Sequence, residues 1–238
     1  MLISLLNSYR SGSVEMQDIV MGAVFTMIVV LISLCAHEVA HGFAAYKLGD
    51  PTARNLGRLT MNPAKHLDPM GTICMVLFGY GWAKPVPVNS RYFKKPRRDM
   101  AITAFAGPVM NLAIAFVSGV FMALTRVFLI DYIMSPGAEL GFVYNILDLT
   151  YLFFFYMHLL NIRFAVFNLI PVPPLDGSRI LFLFLPDRYY FGLMKYERYI
   201  ALAFLVLLYT GVLSIPLSLV SNLISGGFMA IISLIPGL

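Results

Sequence analysis

Residues 19–46 form an apolar stretch that contains a single charged residue, Glu38. At about 1.5 Å rise per residue, a helix of this length crosses a hydrocarbon core of roughly 30 Å. A charged side chain at the centre of a membrane span costs about 3 kcal/mol on insertion scales, so such residues usually belong to a functional site. The stretch therefore predicts a membrane-spanning helix with a functional carboxylate inside it.

Composition extends this prediction to the whole chain. Hydrophobic residues make up 59% of the 238 positions and charged residues 12%, whereas soluble globular domains carry about 25% charged residues. We therefore expect an all-α polytopic membrane protein, a helical bundle of about four to six spans. The clearest spans are predicted over residues 19–46, 101–125, 149–169 and 199–214. The path of the apolar tail, residues 217–238, stays open because Pro216 precedes it and glycines interrupt it.

A long basic connection joins the first two main spans. Residues 47–98 hold ten Lys and Arg residues, whereas residues 131–148 hold none. By the positive-inside rule, the first connection is expected in the cytoplasm and the second outside. This topology explains the formal charge of +5 without a nucleic-acid partner. Within the first connection we expect a short β-hairpin or extended segment, built from residues 57–63 and 84–90, and a candidate re-entrant piece over residues 70–80.

The first span contains the sequence His37-Glu-Val-Ala-His41. Residues four apart project from one face of a helix, so the two imidazoles can bind a single metal ion. In zinc peptidases this spacing gives two zinc ligands, and the intervening glutamate takes a proton from the metal-bound water. A chance match in a chain of this size has a probability of roughly one in a hundred. The pattern therefore indicates a metal centre inside a membrane helix.

A catalytic zinc ion usually has three protein ligands and one open position, so a third ligand is required. The candidates are His66, His158 and Asp176. A core histidine bonded to a neighbouring helix is the favoured interpretation of His158, and a turn or cap role fits His66 as well as metal binding does. Asp176 follows three prolines that exclude a regular helix, and this segment can project a carboxylate into the bundle. The residues alone weigh a ligand role for Asp176 equally against an N-cap of a helix over residues 177–185.

Three motifs occur in order along the chain. They are His37-Glu-Val-Ala-His41, Gly107-Pro-Val-Met-Asn111 and Asn168-Leu-Ile-Pro-Val-Pro-Pro-Leu-Asp-Gly177. Together they resemble the site-2 protease family of intramembrane zinc metalloproteases, and the similarity covers about residues 19–185. The length of the chain is similar to that of the compact subgroup without PDZ or CBS domains.

The resemblance implies one membrane-embedded domain over residues 1–238, with a catalytic core at about 19–185 and C-terminal helices at about 197–238. It implies one zinc ion per chain, with Glu38 as the catalytic base and three ligands: His37, His41 and Asp176. The substrates would be transmembrane or membrane-proximal proteins, cleaved near the cytoplasmic side of the cell membrane.

Two amides in the apolar spans, Asn111 and Asn168, lie within the family motifs. Each could bind the substrate backbone or the oxyanion, because amide donors stabilise developing negative charge. Alternatively, each could connect helices by hydrogen bonding. We weigh the two roles equally for Asn168 and favour the structural role slightly for Asn111, because Gly107 beside it indicates close helix packing.

A zinc-dependent membrane transporter or a catalytically silent substrate-binding homologue is the alternative function. Transport would favour several polar sites through the bundle, whereas the motif residues gather towards one face. A silent homologue would more often lose its base, but Glu38 is present. For a protease, the helical substrate must unwind locally, and the extended pieces of the first connection are expected to offer it an edge strand.

Overall fold

The structure is a computed structural model that describes residues 16–71, 83–137, 141–186 and 195–237. Helices dominate these residues, which confirms the prediction of an all-α polytopic membrane protein. In chain order the α-helices are α1 (Met16–Lys47), α2 (Thr52–Asn55), α3 (Pro96–Met134), α4 (Phe142–Asn168), α5 (Asp176–Leu181), α6 (Glu197–Tyr209) and α7 (Ser214–Ile232). Short 3-10 turns occur at Pro63–Lys65 and Ser90–Tyr92.

Four of the described helices are long and apolar enough to cross a membrane. They are Val20–Lys47, Pro96–Met134, Phe142–Asn168 and Ser214–Ile232. The second of these is 39 residues long, or about 58 Å at helical rise, and therefore extends beyond the predicted span at both ends. Large apolar side chains such as Phe121, Phe128 and Leu223 are exposed on the outer faces, as expected for helices that contact lipid.

The predicted fourth span, residues 199–214, is not among these four helices. The helix there, α6, has only 13 residues, about 20 Å of rise against a core of roughly 30 Å. Gly211 follows it with φ of +74°, a left-handed conformation that glycine adopts without a steric penalty and that stops a helix. The apolar tail instead contains a helix of membrane length, α7. Hydropathy alone did not locate this break because apolar residues continue on both sides of it.

The β-hairpin alternative is wrong for the described residues, which contain a single β-bridge, between Leu67 and Ala83, and no strand. A turn and bends occur within residues 57–60, Pro63 begins a 3-10 turn, and residues 84–89 are free of regular secondary structure. Prolines at 85 and 87 provide no N–H for a β-ladder. We call the latter stretch the 84–89 segment. The candidate re-entrant piece falls mostly on residues 72–82, outside the described residues.

The core lies where α3 and α4 pack along each other. Ala115, Ile162 and Val166 are buried there, and α7 covers them with apolar side chains. His158 connects the same helices: its Nδ1–H donates to the Ala115 carbonyl at 2.8 Å, and its Nε2 accepts from the Ser225 hydroxyl at 2.9 Å. α1 packs against both α3 and α4, and α5 packs against α3. This arrangement brings the motif-bearing parts of three helices together.

Candidate metal centre

α1 carries both motif histidines into the bundle. His37 and His41 are buried, and their rings meet edge to face with centroids 4.5 Å apart. Their Nε2 atoms are only 2.9 Å apart. Both side chains therefore direct the same ring nitrogen at one point.

Asp176 completes a group that we call the His–His–Asp cluster (His37, His41 and Asp176). Its Oδ2 lies 3.1 Å from the Nε2 of His37 and 3.3 Å from the Nε2 of His41. Asp176 is the first residue of α5, Leu175 occupies the N-cap position, and no side chain makes a capping hydrogen bond. The carboxylate thus faces the imidazoles and does not cap the helix. This is the only potential metal-binding group of at least three His, Cys, Asp or Glu residues among the described residues.

Gly177 explains how α5 reaches this position. A Cβ at Gly177 would overlap the carbonyl oxygens of Leu169 and Ile170, at the C-terminal end of α4. The absence of a side chain lets α5 pack against that backbone, which places the neighbouring Asp176 next to α1. Gly177 is therefore a packing requirement of the third motif.

The second motif provides the opposite wall of the centre. Thr103, Gly107 and Asn111 are four residues apart and share one face of α3. The Thr103 carbonyl accepts a hydrogen bond from the Nδ1–H of His41 at 2.7 Å, and the Asn111 Oδ1 lies 2.6 Å from the Nδ1 of His37. A Cβ at Gly107 would lie 2.5 Å from His41 Cε1 and 2.6 Å from His37 Cε1. Only glycine leaves room for the two rings.

These contacts determine the chemistry of the cluster. Thr103 O and Asn111 Oδ1 can only accept hydrogen bonds, so each imidazole carries its proton on Nδ1 and presents a lone pair at Nε2. In its ionised form the Asp176 carboxylate brings only acceptor oxygens to the same point. An anionic oxygen and two lone pairs thus face each other at 2.9–3.3 Å.

Zinc fits this donor set. Asp176 Oδ2 is buried without a hydrogen-bond partner, although two nitrogens are close to it. The two observations agree, because those nitrogens offer lone pairs and not protons. Ligand atoms about 2.0–2.1 Å from a tetrahedral zinc ion are about 3.3 Å apart, close to the separations in the cluster. Two imidazoles and one carboxylate are also a known catalytic zinc ligand set with an open fourth position.

Glu38 follows His37 directly and is partly exposed. Its Oε2 accepts the Val86 N–H of the 84–89 segment at 2.7 Å. The segment is fixed at both ends: the Lys84 carbonyl accepts from the Arg58 guanidinium at 2.7 Å, and the Asn89 N–H donates to Asp50 Oδ2 at 2.7 Å. A tethered stretch of backbone therefore crosses beside the carboxylate.

The other two histidines, His66 and His158, form hydrogen bonds away from the metal centre. His66 is buried, and its Nε2–H donates to the Thr60 carbonyl at 2.7 Å within its own connection. His158 is held between α3 and α7 as described above. Neither approaches the His–His–Asp cluster.

The two motif asparagines differ in their surroundings. Asn111 is fully buried and has both polar atoms engaged, with His37 and with Asn161 of α4. This geometry favours the structural role considered for Asn111. Asn168 is partly exposed at the end of α4 and donates to the Phe164 carbonyl at 3.0 Å. A substrate-binding role for Asn168 stays a prediction.

Asn161 and Ser33 were not predicted from the sequence, although both are fully buried; Asn161 contacts Asn111, and Ser33 contacts Asn161. A signal for each was present in the sequence. Asn161 is an amide in an apolar span, like Asn111, and Ser33 lies four residues before His37 on the same face of α1.

Comparisons with known proteins relate the chain to a family. The model of peptidase family M50 matches residues 25–211. The chain is 39% identical over 186 residues to a Bacillus subtilis (strain 168) protein named "Putative zinc metalloprotease YwhC", covering 78% of this chain and 80% of that protein. It is 32% identical over 158 residues to "Putative zinc metalloprotease Rip2" of Mycolicibacterium smegmatis, covering 62% of this chain and 52% of that protein. No solved structure gave a significant match.

The membrane-length helices and these similarities define the class of protein: the chain is an integral-membrane zinc metalloprotease. It belongs to peptidase family M50, the site-2 protease family. No PDZ or CBS domain was matched.

Proposed function

We propose that this protein is an endopeptidase that cleaves transmembrane or membrane-proximal proteins within the bilayer. In this proposal the His–His–Asp cluster holds one zinc ion per chain and Glu38 is the catalytic base. The observation that carries the proposal is the convergence of two Nε2 lone pairs and one carboxylate oxygen at 2.9–3.3 Å inside the bundle. A bound zinc ion would acidify a water molecule and polarise the substrate carbonyl.

The protein's own groups then have distinct tasks. Thr103 and Asn111 hold the imidazoles in the orientation that binds metal. Glu38, next to His37 and partly exposed, takes a proton from the attacking water and returns it to the leaving amine. A general base in this position contributes about a hundredfold to ten-thousandfold to rate.

The proposed orientation places the active site towards the cytoplasm of the cell membrane. His37 lies ten residues before Lys47, where α1 ends, or about 15 Å at helical rise. The basic connection that follows supports a cytoplasmic location for this end of the helix. Water would enter from that side to reach Glu38.

We further propose that an unwound substrate lies alongside the 84–89 segment. The hydrogen bond from Val86 N–H to Glu38 supports this, because it keeps the backbone of the 84–89 segment beside the proposed base. Prolines at 85 and 87 leave no N–H at those positions. A substrate strand that pairs with the 84–89 segment would therefore have to donate its own N–H groups to the proline carbonyls.

The substitution Glu38→Gln tests the proposed function. It preserves size and should leave zinc bound at one equivalent per chain, but cleavage should fall by at least about a hundredfold, because an amide cannot accept the proton. Metal content of the purified protein gives the first result. The second result comes from the membrane proteomes of cells that carry the wild-type or the variant protein. An intact substrate should accumulate in the cells with the variant.

Glu197→Gln is the matched control, since Glu197 is an acid at the start of α6 and outside the cluster. It should leave both zinc content and cleavage unchanged. Full cleavage by Glu38→Gln would exclude Glu38 as the base. A zinc-free wild-type protein that still cleaves would exclude the metal mechanism.

A further inference from the structure

A chain of buried polar side chains runs from the metal centre across three helices. It consists of Asn111 on α3, Asn161 on α4 and Ser33 on α1, each fully buried. We propose that Asn161 is a positioning residue that acts through Asn111 to keep the proton of His37 on Nδ1, so that Nε2 is free to bind metal. This inference rests on the metal centre proposed above.

The donor-to-acceptor direction of these hydrogen bonds is fixed at the end far from the metal centre. Asn161 Nδ2 lies 2.8 Å from the Met157 carbonyl and 2.8 Å from Ser33 Oγ. A main-chain carbonyl only accepts hydrogen bonds, so the nitrogen of Asn161 must face it. Ser33 donates its own proton to the Val29 carbonyl at 2.7 Å and therefore accepts from Asn161. Both N–H groups of the Asn161 amide are thus committed.

The orientation passes from Asn161 to the imidazole. With its nitrogen committed, Asn161 presents Oδ1 to Asn111 Nδ2 at 2.8 Å. Asn111 must then present Oδ1 to His37 Nδ1, at 2.6 Å. Because this oxygen only accepts, the proton of His37 lies on Nδ1 and the lone pair of Nε2 faces Asp176.

A reversed Asn111 amide would have the opposite effect. Its N–H groups would face Nδ1 of His37, which would then have to be the unprotonated nitrogen. The proton would move to Nε2 and point into the His–His–Asp cluster, where it would block coordination. Nothing in His37 itself prevents this arrangement. The Met157 carbonyl, two side chains away, therefore determines which ring nitrogen of His37 carries the proton.

His41 needs no such relay. Its Nδ1 binds the Thr103 carbonyl directly, and a main-chain carbonyl cannot reverse. The two ligands therefore differ: His41 is oriented by backbone, whereas His37 is oriented by a reversible side chain that Asn161 holds in place. Hydrogen bonds between membrane helices contribute little to stability on average, so loss of Asn161 should affect metal binding more than folding.

The test is a double-mutant cycle on the full-length protein in detergent, with zinc affinity measured by competition with a chromophoric chelator. Asn111→Leu and Asn161→Leu are close in size to the native residues. Each should weaken zinc binding by about tenfold to a hundredfold, the usual cost of losing a partner of a metal ligand. The double variant should bind zinc no more weakly than Asn111→Leu alone, because Asn161 acts through Asn111. Additive losses would overturn the inference.

Thr125→Val is the matched control. Thr125 is buried on α3, donates to the Phe121 carbonyl and lies 14 residues beyond Asn111, about 21 Å along the helix. Its loss should leave zinc affinity unchanged. Thermal unfolding of the metal-free proteins should give the same midpoint for Asn161→Leu and Thr125→Val. If Asn161→Leu does not fold, Asn161→Ala takes its place in the cycle.

Two further results separate this inference from the metal centre itself. If His37→Ala binds zinc as tightly as the wild-type protein, the proposed metal centre is wrong and the inference fails with it. If His37→Ala loses zinc binding but Asn161→Leu keeps wild-type affinity, only the inference is wrong. The absorption spectrum of the cobalt-loaded protein provides a readout of coordination, and it should change in Asn161→Leu but not in Thr125→Val.

Discussion

Gly107 lies on α3 directly opposite the two imidazoles of α1. The preceding turn gives the Thr103 carbonyl to His41, and the following turn gives Asn111 to His37. Pro108 removes one main-chain hydrogen bond from the same region of the helix. Three residues of one helix face thus provide two hydrogen-bond acceptors and the space between them. The second family motif has a physical explanation in the orientation of the metal ligands.

Gly107→Ala should therefore disrupt the metal centre while preserving the helix. The new methyl group would lie 2.5 Å from His41 and 2.6 Å from His37, so at least one ring must move. We expect zinc affinity to fall by about tenfold or more. Helix propensity improves by about 1 kcal/mol when alanine replaces glycine, so the fold should persist. Metal titration and thermal unfolding of the metal-free protein measure the two effects.

The control for this substitution is Gly226→Ala on α7, where a Cβ meets nothing within 4 Å. It should retain wild-type zinc affinity. Wild-type affinity in Gly107→Ala would show that the rings tolerate displacement and that the steric argument is wrong.

At the scale of elements, the short helix α5 decides where the third ligand lies. It has six residues, too few to be stable alone, so its position depends on what it packs against. Gly177 permits contact with the end of α4, and α5 also packs along α3. Asp176 reaches the histidines only because both contacts are made.

Gly177→Ala should move α5 as a unit. The added Cβ would overlap two main-chain carbonyl oxygens, which cannot move aside as a flexible side chain can. Overpacking of this kind costs about 1–3 kcal/mol, and the displaced Asp176 should reduce zinc affinity. Zinc titration beside the control Gly141→Ala, where a Cβ meets nothing within 4 Å, measures the effect. Equal affinities in the two variants would contradict the packing role.

At the scale of the whole molecule, the described part of the chain combines four membrane-length helices with one strongly basic connection. The described helices bury few charged groups, and ten of the 17 Lys and Arg residues lie within residues 47–98. The exposed residues that follow Phe93 include Lys94 and Lys95, next to the start of α3. The turn after α3 contains no Lys or Arg and includes the exposed Ser135. This asymmetry predicts the orientation of the entire bundle.

Cysteine labelling checks that orientation. In a background with both native cysteines replaced by alanine, Ser135→Cys should react with a membrane-impermeant maleimide in intact cells. Lys94→Cys should react only after the membrane is permeabilised, because the basic connection is expected in the cytoplasm. The cysteine-free background shows the extent of non-specific labelling. The reverse pattern would place the active site on the opposite side of the membrane.

Periodicity and composition alone determined the helical membrane class, the basic connection and the pairing of His37 with His41. These features depend on neighbours within about one turn or on the average polarity of a segment, and both can be counted along a chain. The division of the chain into domains stays a prediction from the family resemblance.

Tertiary structure alone decided the rest. Asp176 could equally have been a helix cap until the packing of α5 set its direction, and Asn161 became relevant only through Asn111. The break between α6 and α7 depended on the backbone conformation at Gly211. In each case the outcome is set by contacts between residues distant in sequence, or by one backbone angle inside an apolar run, and neither changes the local pattern of residue types.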